Sequence, residues 1–219
     1  MVFPMMMRIQ LWGRVTRSGG VLAVLALVLT LSQTARADLI TNGNFANPGV
    51  NGGYNIYSSV PGWTDSADGI EIDNSQLLGL TCHDADCQSA EVNGNTFDTI
   101  TQSVTGLVVG NTYMLSWAYG DRSGSGPQQL NILFGNTLVG VDRGTGAGTW
   151  TSNAVLITAT STTETLAFQA INVGGNPSVG NEIDDVSLLL TAPVPEPASL
   201  LLLAVGLAGL RYARVRRRA

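Results

Sequence analysis

The 219-residue chain contains no lysine, so all eleven of its positive charges are arginines. Nine of these lie outside residues 38–194, four before residue 37 and five after residue 210. The middle keeps only Arg122 and Arg143 against fifteen Asp and Glu. A domain so poor in cations has little to set against phosphates, which excludes a nucleic-acid binder working through a basic face. Histidine occurs once, at His83, and no Gly-x-Ser-x-Gly elbow accompanies it, so the parts of a serine hydrolase are missing. Long apolar runs are also scarce: residues 21–31 and 198–210 fall short of the roughly 20 residues that span a bilayer. No amphipathic stretch of helical period exceeds two turns. The formal net charge of −5 therefore averages an acidic centre and two basic, apolar ends.

Each end has the form of an address. Arg8, Arg14 and Arg17 precede the apolar run 21–31, and Ala35-Arg36-Ala37 closes it with the small-x-small pattern that signal peptidase accepts. Residues 1–37 are thus predicted to be a signal peptide, cut between Ala37 and Asp38. At the other end, Val194-Pro195-Glu196-Pro197 is a stiff, extended stretch, because proline fixes its own φ and disfavours helix in the residue before it. A short transmembrane helix over 198–210 is expected next, with the arginine tail on the cytoplasmic side and the acidic domain outside. Thirteen helical residues span roughly 20 Å of a hydrocarbon core about 30 Å thick, so Tyr212 and snorkelling arginines would have to help.

This tail resembles the PEP-CTERM sorting signal of Gram-negative bacteria. The resemblance rests on Val194-Pro195-Glu196-Pro197, the apolar run with Gly206 and Gly209, and the terminal arginines, all in the right order. It implies transient anchoring at the inner membrane by residues 192–219. Cleavage by an exosortase-type enzyme and release to the cell surface or matrix, often beside exopolysaccharide, would follow.

Residues 38–191 are predicted to form one folded domain. Twenty-one glycines and fifteen asparagines lie within 38–194 and punctuate runs of strand period. Tyr113, Leu115, Trp117 and Tyr119 alternate on one face, as do Leu130, Ile132 and Phe134, and Leu166, Phe168 and Ala170. Further strands are expected over 99–104, 155–157 and 182–190, with weaker ones over 39–41, 69–73, 89–92 and 137–141. Eight to ten short strands with glycine-rich connections indicate an all-β fold, an antiparallel β-sandwich.

The order of motifs resembles the galactose-binding-like jelly rolls, which include many carbohydrate-binding modules. The matching pieces are Leu39-Ile40-Thr41-Asn42-Gly43-Asn44-Phe45, Val60-Pro61-Gly62-Trp63, Gly69-Ile70-Glu71-Ile72-Asp73, Ser89-Ala90-Glu91-Val92-Asn93-Gly94, Gly110-Asn111-Thr112-Tyr113 and Ile183-Asp184-Asp185-Val186. The resemblance implies an eight-stranded jelly roll whose first and last strands run side by side. It also implies a structural Ca2+ tying those strands together, with Asn42, Asn44 and Asp184 as candidate ligands. Ala46 stands where the family places a glutamate, so one carboxylate is missing from that set.

Cys82 and Cys87, in Cys82-His83-Asp84-Ala85-Asp86-Cys87, are expected to close a small surface loop as a disulfide. The alternative is a metal site from Cys82, His83, Asp84 and Cys87, but structural zinc usually has a second ligand pair and the chain has no further cysteine. Glu71-Ile72-Asp73 resembles the start of the Glu-x-Asp-x-x-Glu run of one class of jelly-roll glycosidases. Ser75 and Gln76 follow it, so the second catalytic carboxylate is absent and no enzyme is expected. Sugar sites combine flat aromatic faces with amides and carboxylates. Tyr54, Tyr57, Trp63 and Trp150 lie in or next to turn-rich segments, and Tyr57 and Trp63, together with Tyr119, Asp121 and Arg122 at the mouth of a glycine-rich loop, are the candidates for such a site.

The expected protein is a secreted, non-catalytic β-sandwich sorted to the surface. Its partners are signal peptidase, an exosortase-type enzyme and an extracellular polysaccharide, with no nucleic acid. The alternative is a purely structural surface protein, retained as a single-pass inner-membrane protein with no glycan ligand.

Overall fold

A computed structural model describes residues 37–191. The features expected in residues 1–36 and 192–219, including the signal peptide, the Pro-Glu-Pro stretch and the helix over 198–210, lie outside the described residues. Among the described residues, no helix is long and apolar enough to cross a membrane.

Ten strands form two antiparallel sheets. The six-stranded sheet has the order β1 (Tyr54–Tyr57), β2 (Ile70–Asn74), β3 (Gln88–Glu91), β10 (Asn181–Leu190), β5 (Thr112–Asp121) and β8 (Thr149–Thr158). The four-stranded sheet has the order β4 (Thr99–Thr105), β9 (Thr163–Ile171), β6 (Gln128–Phe134) and β7 (Thr137–Gly144). The strands expected from period-two alternation are present, because that alternation sends one face of each into the core. Tyr113, Leu115, Trp117 and Tyr119 of β5 are all buried, facing Leu130, Ile132, Leu166 and Phe168 from the other sheet. Phe45, Trp63, Phe168 and Trp117 form an aromatic chain through this core, with centroid separations of 5.2, 6.0 and 6.4 Å.

Two expectations need correction. The segment 39–41 lies beside the last strand but is not itself a strand. Leu39 N–H donates to the Leu188 carbonyl at 3.1 Å, and Val186 N–H donates to the Gly43 carbonyl at 2.9 Å. Between these bonds the ladder breaks, because Asn42 takes positive φ and β10 changes register between Asp184 and Ser187. Asp38 fills part of the gap: its carboxylate accepts from the N–H groups of Ile40 and Leu188, both at 2.9 Å. The second correction is β1, an edge strand of four residues with exposed Tyr54 and Asn55 that no alternation announced.

Candidate functional site

The outer face of the six-stranded sheet is where the chemistry collects. On β2, Ile70 and Ile72 enter the core, so Glu71 and Asp73 point the other way. On β3 and β10, Ala90 and Ile183 point inward and leave Glu91 and Glu182 outward. The register then sets Glu71 opposite Glu91 and Glu91 opposite Glu182, a row of three glutamates on adjacent strands. Asp73, Ser89 and Asp184 extend this polar surface. An outward face would ordinarily be wet, but these acids are buried, and Leu77 and Leu78 of the 3-10 turn Ser75–Leu78 line the same cavity as Glu71 and Asp73.

One cation serves the row. The Arg122 guanidinium pairs with Glu91 Oε2, and Gly180 N–H donates to Glu91 Oε1 at 2.7 Å. Ser89 Oγ donates to Glu182 Oε2 at 3.0 Å. Asp73 Oδ2 and Glu182 Oε1 are buried without any hydrogen-bond partner. Burial, followed by repulsion from Glu91, pushes the Glu71 carboxyl up to about 7. Burial and the repulsion of Glu71 and Glu91 push Asp73 up to about 8. Glu91 and Glu182 are also raised, chiefly by burial. A cavity of about 430 Å³ opens over Glu71, Asp73 and Arg122, walled by Tyr54, Ile56 and Leu77. Tyr54 is 66% exposed and offers an aromatic face at the cavity's edge.

A second acidic cluster lies further along β10. Cys82 and Cys87 are joined by a disulfide. The loop they close brings Asp84 and Asp86 near Asp184 and Asp185, whose combined repulsion adds to burial in pushing Asp184 up to about 9. His83 Nδ1 lies 2.8 Å from Asp185 Oδ2 and 3.8 Å from Asp184 Oδ2. Asp184 Oδ2 is buried and has no hydrogen-bond partner.

The structure separates the residues that the sequence reading grouped as ligand contacts. Trp63 is only 1% exposed, and its Nε1 donates to the Asn42 carbonyl at 3.1 Å, so it is a core residue and not a sugar platform. Tyr119 is likewise buried, donating to Asn181 Oδ1 at 3.0 Å. Tyr57 packs against the core. Asp121 organises the loop beside it, accepting from the N–H groups of Thr145, Gly146 and Ala147 at 2.8–2.9 Å. Of the five, Arg122 alone lines the cavity.

Of the candidate calcium ligands, the two asparagines make other hydrogen bonds. The Asn42 carboxamide is engaged with Asn47 through both of its polar atoms, and Asn44 Oδ1 accepts from Ala46 N–H. Asn44 Nδ2 instead donates to Asp86 Oδ2 at 2.9 Å, which links this loop to the second acidic cluster. Glu91 and Glu182 were not singled out from sequence, whereas Tyr54 was among the aromatics expected near a sugar site. The available signal was an acid alternating with an aliphatic residue in three separate strands.

Residues 193–218 match the PEP-CTERM protein-sorting motif. That motif marks the chain for export and for sorting to the surface or the extracellular space. The chain is also 27% identical over 183 residues to halomucin of Haloquadratum walsbyi, an alignment covering 76% of this chain and 2% of that protein. Among solved structures it resembles a family 35 carbohydrate-binding module from Clostridium thermocellum, with TM-score 0.41 and 10% identity over 73% of this chain and all of that one. It also resembles the tandem CBM22-1–CBM22-2 domain of Paenibacillus barcinonensis Xyn10C, with TM-score 0.45 and 15% identity over 76% of this chain and 48% of that one.

Proposed function

We propose that this is an exosortase-sorted surface or matrix protein whose β-sandwich binds glycan, without catalysis, in the cavity beneath Tyr54. The observation that carries the reading is the combination at that cavity: an exposed aromatic ring above a floor of carboxylates and one guanidinium. Sugars are held by this pairing of a flat apolar face with fixed polar groups. Binding of the full chain, held in a polyoxyethylene detergent, to an array of neutral and charged glycans tests it. Tyr54→Ala is expected to weaken the best ligand about tenfold, roughly 1.4 kcal/mol. Absence of affinity for any glycan, or an unchanged affinity in the variant, overturns the reading. Signal peptidase is expected to cut after Ala37 and the exosortase-type enzyme near Val194-Pro195-Glu196-Pro197, after transient anchoring by residues 198–210. Mass spectrometry of surface-extracted protein that finds the arginine tail intact would rule out that processing.

The second cluster is the better candidate for a structural Ca2+. His83, Asp184 and Asp185 place ligand atoms within 4.8 Å of one another, and Asp84 and Asp86 add negative charge close enough to raise Asp184, a setting rich in the carboxylates a hard cation takes. The orphaned Asp184 Oδ2 supports this fit. A cation present at 100 times its dissociation constant stabilises by about 2.7 kcal/mol. Added calcium should therefore raise the melting temperature by about 5 °C or more. EDTA should reverse the rise and Asp184→Asn should abolish it, whereas a melting temperature indifferent to calcium removes the ion.

A further inference from the structure

The carboxylates beneath Tyr54 have a property that a neutral sugar does not require. Glu71, Asp73, Glu91 and Glu182 face one another with Arg122 as the single cation among them. Arg122 is committed to Glu91, whose other oxygen is taken by Gly180 N–H. Asp73 is 1% exposed, lines the cavity, and keeps Oδ2 without a partner. Asp73 Oδ2 thus meets no N–H or hydroxyl donor of the chain, and the protons held by Glu71 and Asp73 are the ones an incoming cation would displace.

We propose that this cavity takes the protonated amine of an amino sugar, so that the glycan recognised is a polysaccharide carrying free, non-acetylated amino groups. The inference rests on the glycan-binding reading and narrows it. An ammonium carries three donors and no acceptor, which complements a floor of acceptors. As Glu71 and Asp73 give up their protons, it would also offset the repulsion among the ionised carboxylates that Arg122 offsets only in part. A divalent metal fits less well here, because Glu91 has both oxygens occupied and a guanidinium stands beside it. The domain around the cavity agrees in sign. The domain's two arginines against fifteen acids give it a field that draws cationic polymers and repels anionic ones. Tyr54 and Leu77 then wall the cavity with apolar surface for the sugar ring.

The test compares three hexasaccharides on the full chain in polyoxyethylene detergent at pH 6: a β-1,4-glucosamine hexamer, its fully N-acetylated counterpart, and cellohexaose. The glucosamine hexamer should bind at least tenfold tighter than either of the others. Glu71→Gln with Asp73→Asn should erase that preference. Both changes keep side-chain shape and replace carboxyls that are neutral in the folded state at this pH, so the fold should persist, and circular dichroism checks it. Binding should also release protons, because a bound cation favours the ionised forms of Glu71 and Asp73 in the presence of Glu91, Glu182 and Arg122. Calorimetry in two buffers of different ionisation enthalpy reads that release. Equal affinity for all three hexamers, or tightest binding of a neutral one, overturns the inference and leaves glycan binding standing. No binding of any hexamer, together with no affinity on the broader array, overturns both.

Discussion

Raising the pH from 5 to 9 should destabilise this protein, with a fall in melting temperature on the order of 10 °C. Many proteins show the opposite trend over the acid side of this range, because their carboxylates are paired in the folded state. Here Glu71 and Asp73 titrate at about 7 and about 8 in the folded chain, while their ordinary values are 4.5 and 3.8. A carboxyl raised in this way holds its proton in the folded state through a range where the unfolded chain has already lost it. The folded form binds more protons, so the free energy of unfolding falls as the pH climbs between the two values. Below about pH 4 the effect is absent, and above about pH 8 it is complete for these two groups. Each unit corresponds to about 1.4 kcal/mol. Even discounted for the shared protons of one cluster, the loss is several kcal/mol, and each kcal/mol moves the melting temperature by roughly 2–4 °C in a chain of this size. Thermal melts between pH 5 and pH 9 in constant EDTA measure it. Glu71→Gln with Asp73→Asn should flatten the slope and make the variant the more stable form at pH 9. A wild-type melting temperature that is level or rising over this interval contradicts the burial of the cluster.

Gly43→Ala should cost about 3 kcal/mol or more, through a different mechanism. A Cβ at this position would lie 1.9 Å from the Val186 carbonyl oxygen and 2.9 Å from its carbon, both backbone atoms that cannot rotate away. Relief requires residues 38–45 to lift from β10. That breaks the 2.9 Å bond from Val186 N–H to the Gly43 carbonyl. It also disturbs Phe45, which is fully buried against Trp63, and the bond from Trp63 Nε1 to the Asn42 carbonyl. Overpacking costs about 1–3 kcal/mol and a broken buried hydrogen bond adds to it. Chemical denaturation gives the loss directly, and tryptophan emission should shift to the red as Trp63 is uncovered. A loss below about 1 kcal/mol would show that the segment is not pinned to the last strand.

The two predictions draw on different kinds of legibility. Tyr113, Leu115, Trp117 and Tyr119 could be read as one buried face because a strand's side chains alternate whatever the rest of the chain does. Cys82 and Cys87 are close in sequence, and their loop is a local structure. The site is another matter. Glu91 and Glu182 are adjacent in space because β3 and β10 pair in one particular register. Tyr54 reaches the cavity from an edge strand whose only ladder partner is β2. Trp63 misled for the same reason. It stands among turn residues, and whether an aromatic there faces water or core depends on Phe45 and Phe168, which come from distant parts of the chain.

From its residues alone, this protein is an acidic all-β domain between two basic, apolar addresses, since charge, period and turn composition are properties of consecutive residues. Only the tertiary structure decided which of its carboxylates are buried together. Burial and mutual repulsion arise between strands, and a one-residue change of register would have sent those same acids to the opposite face.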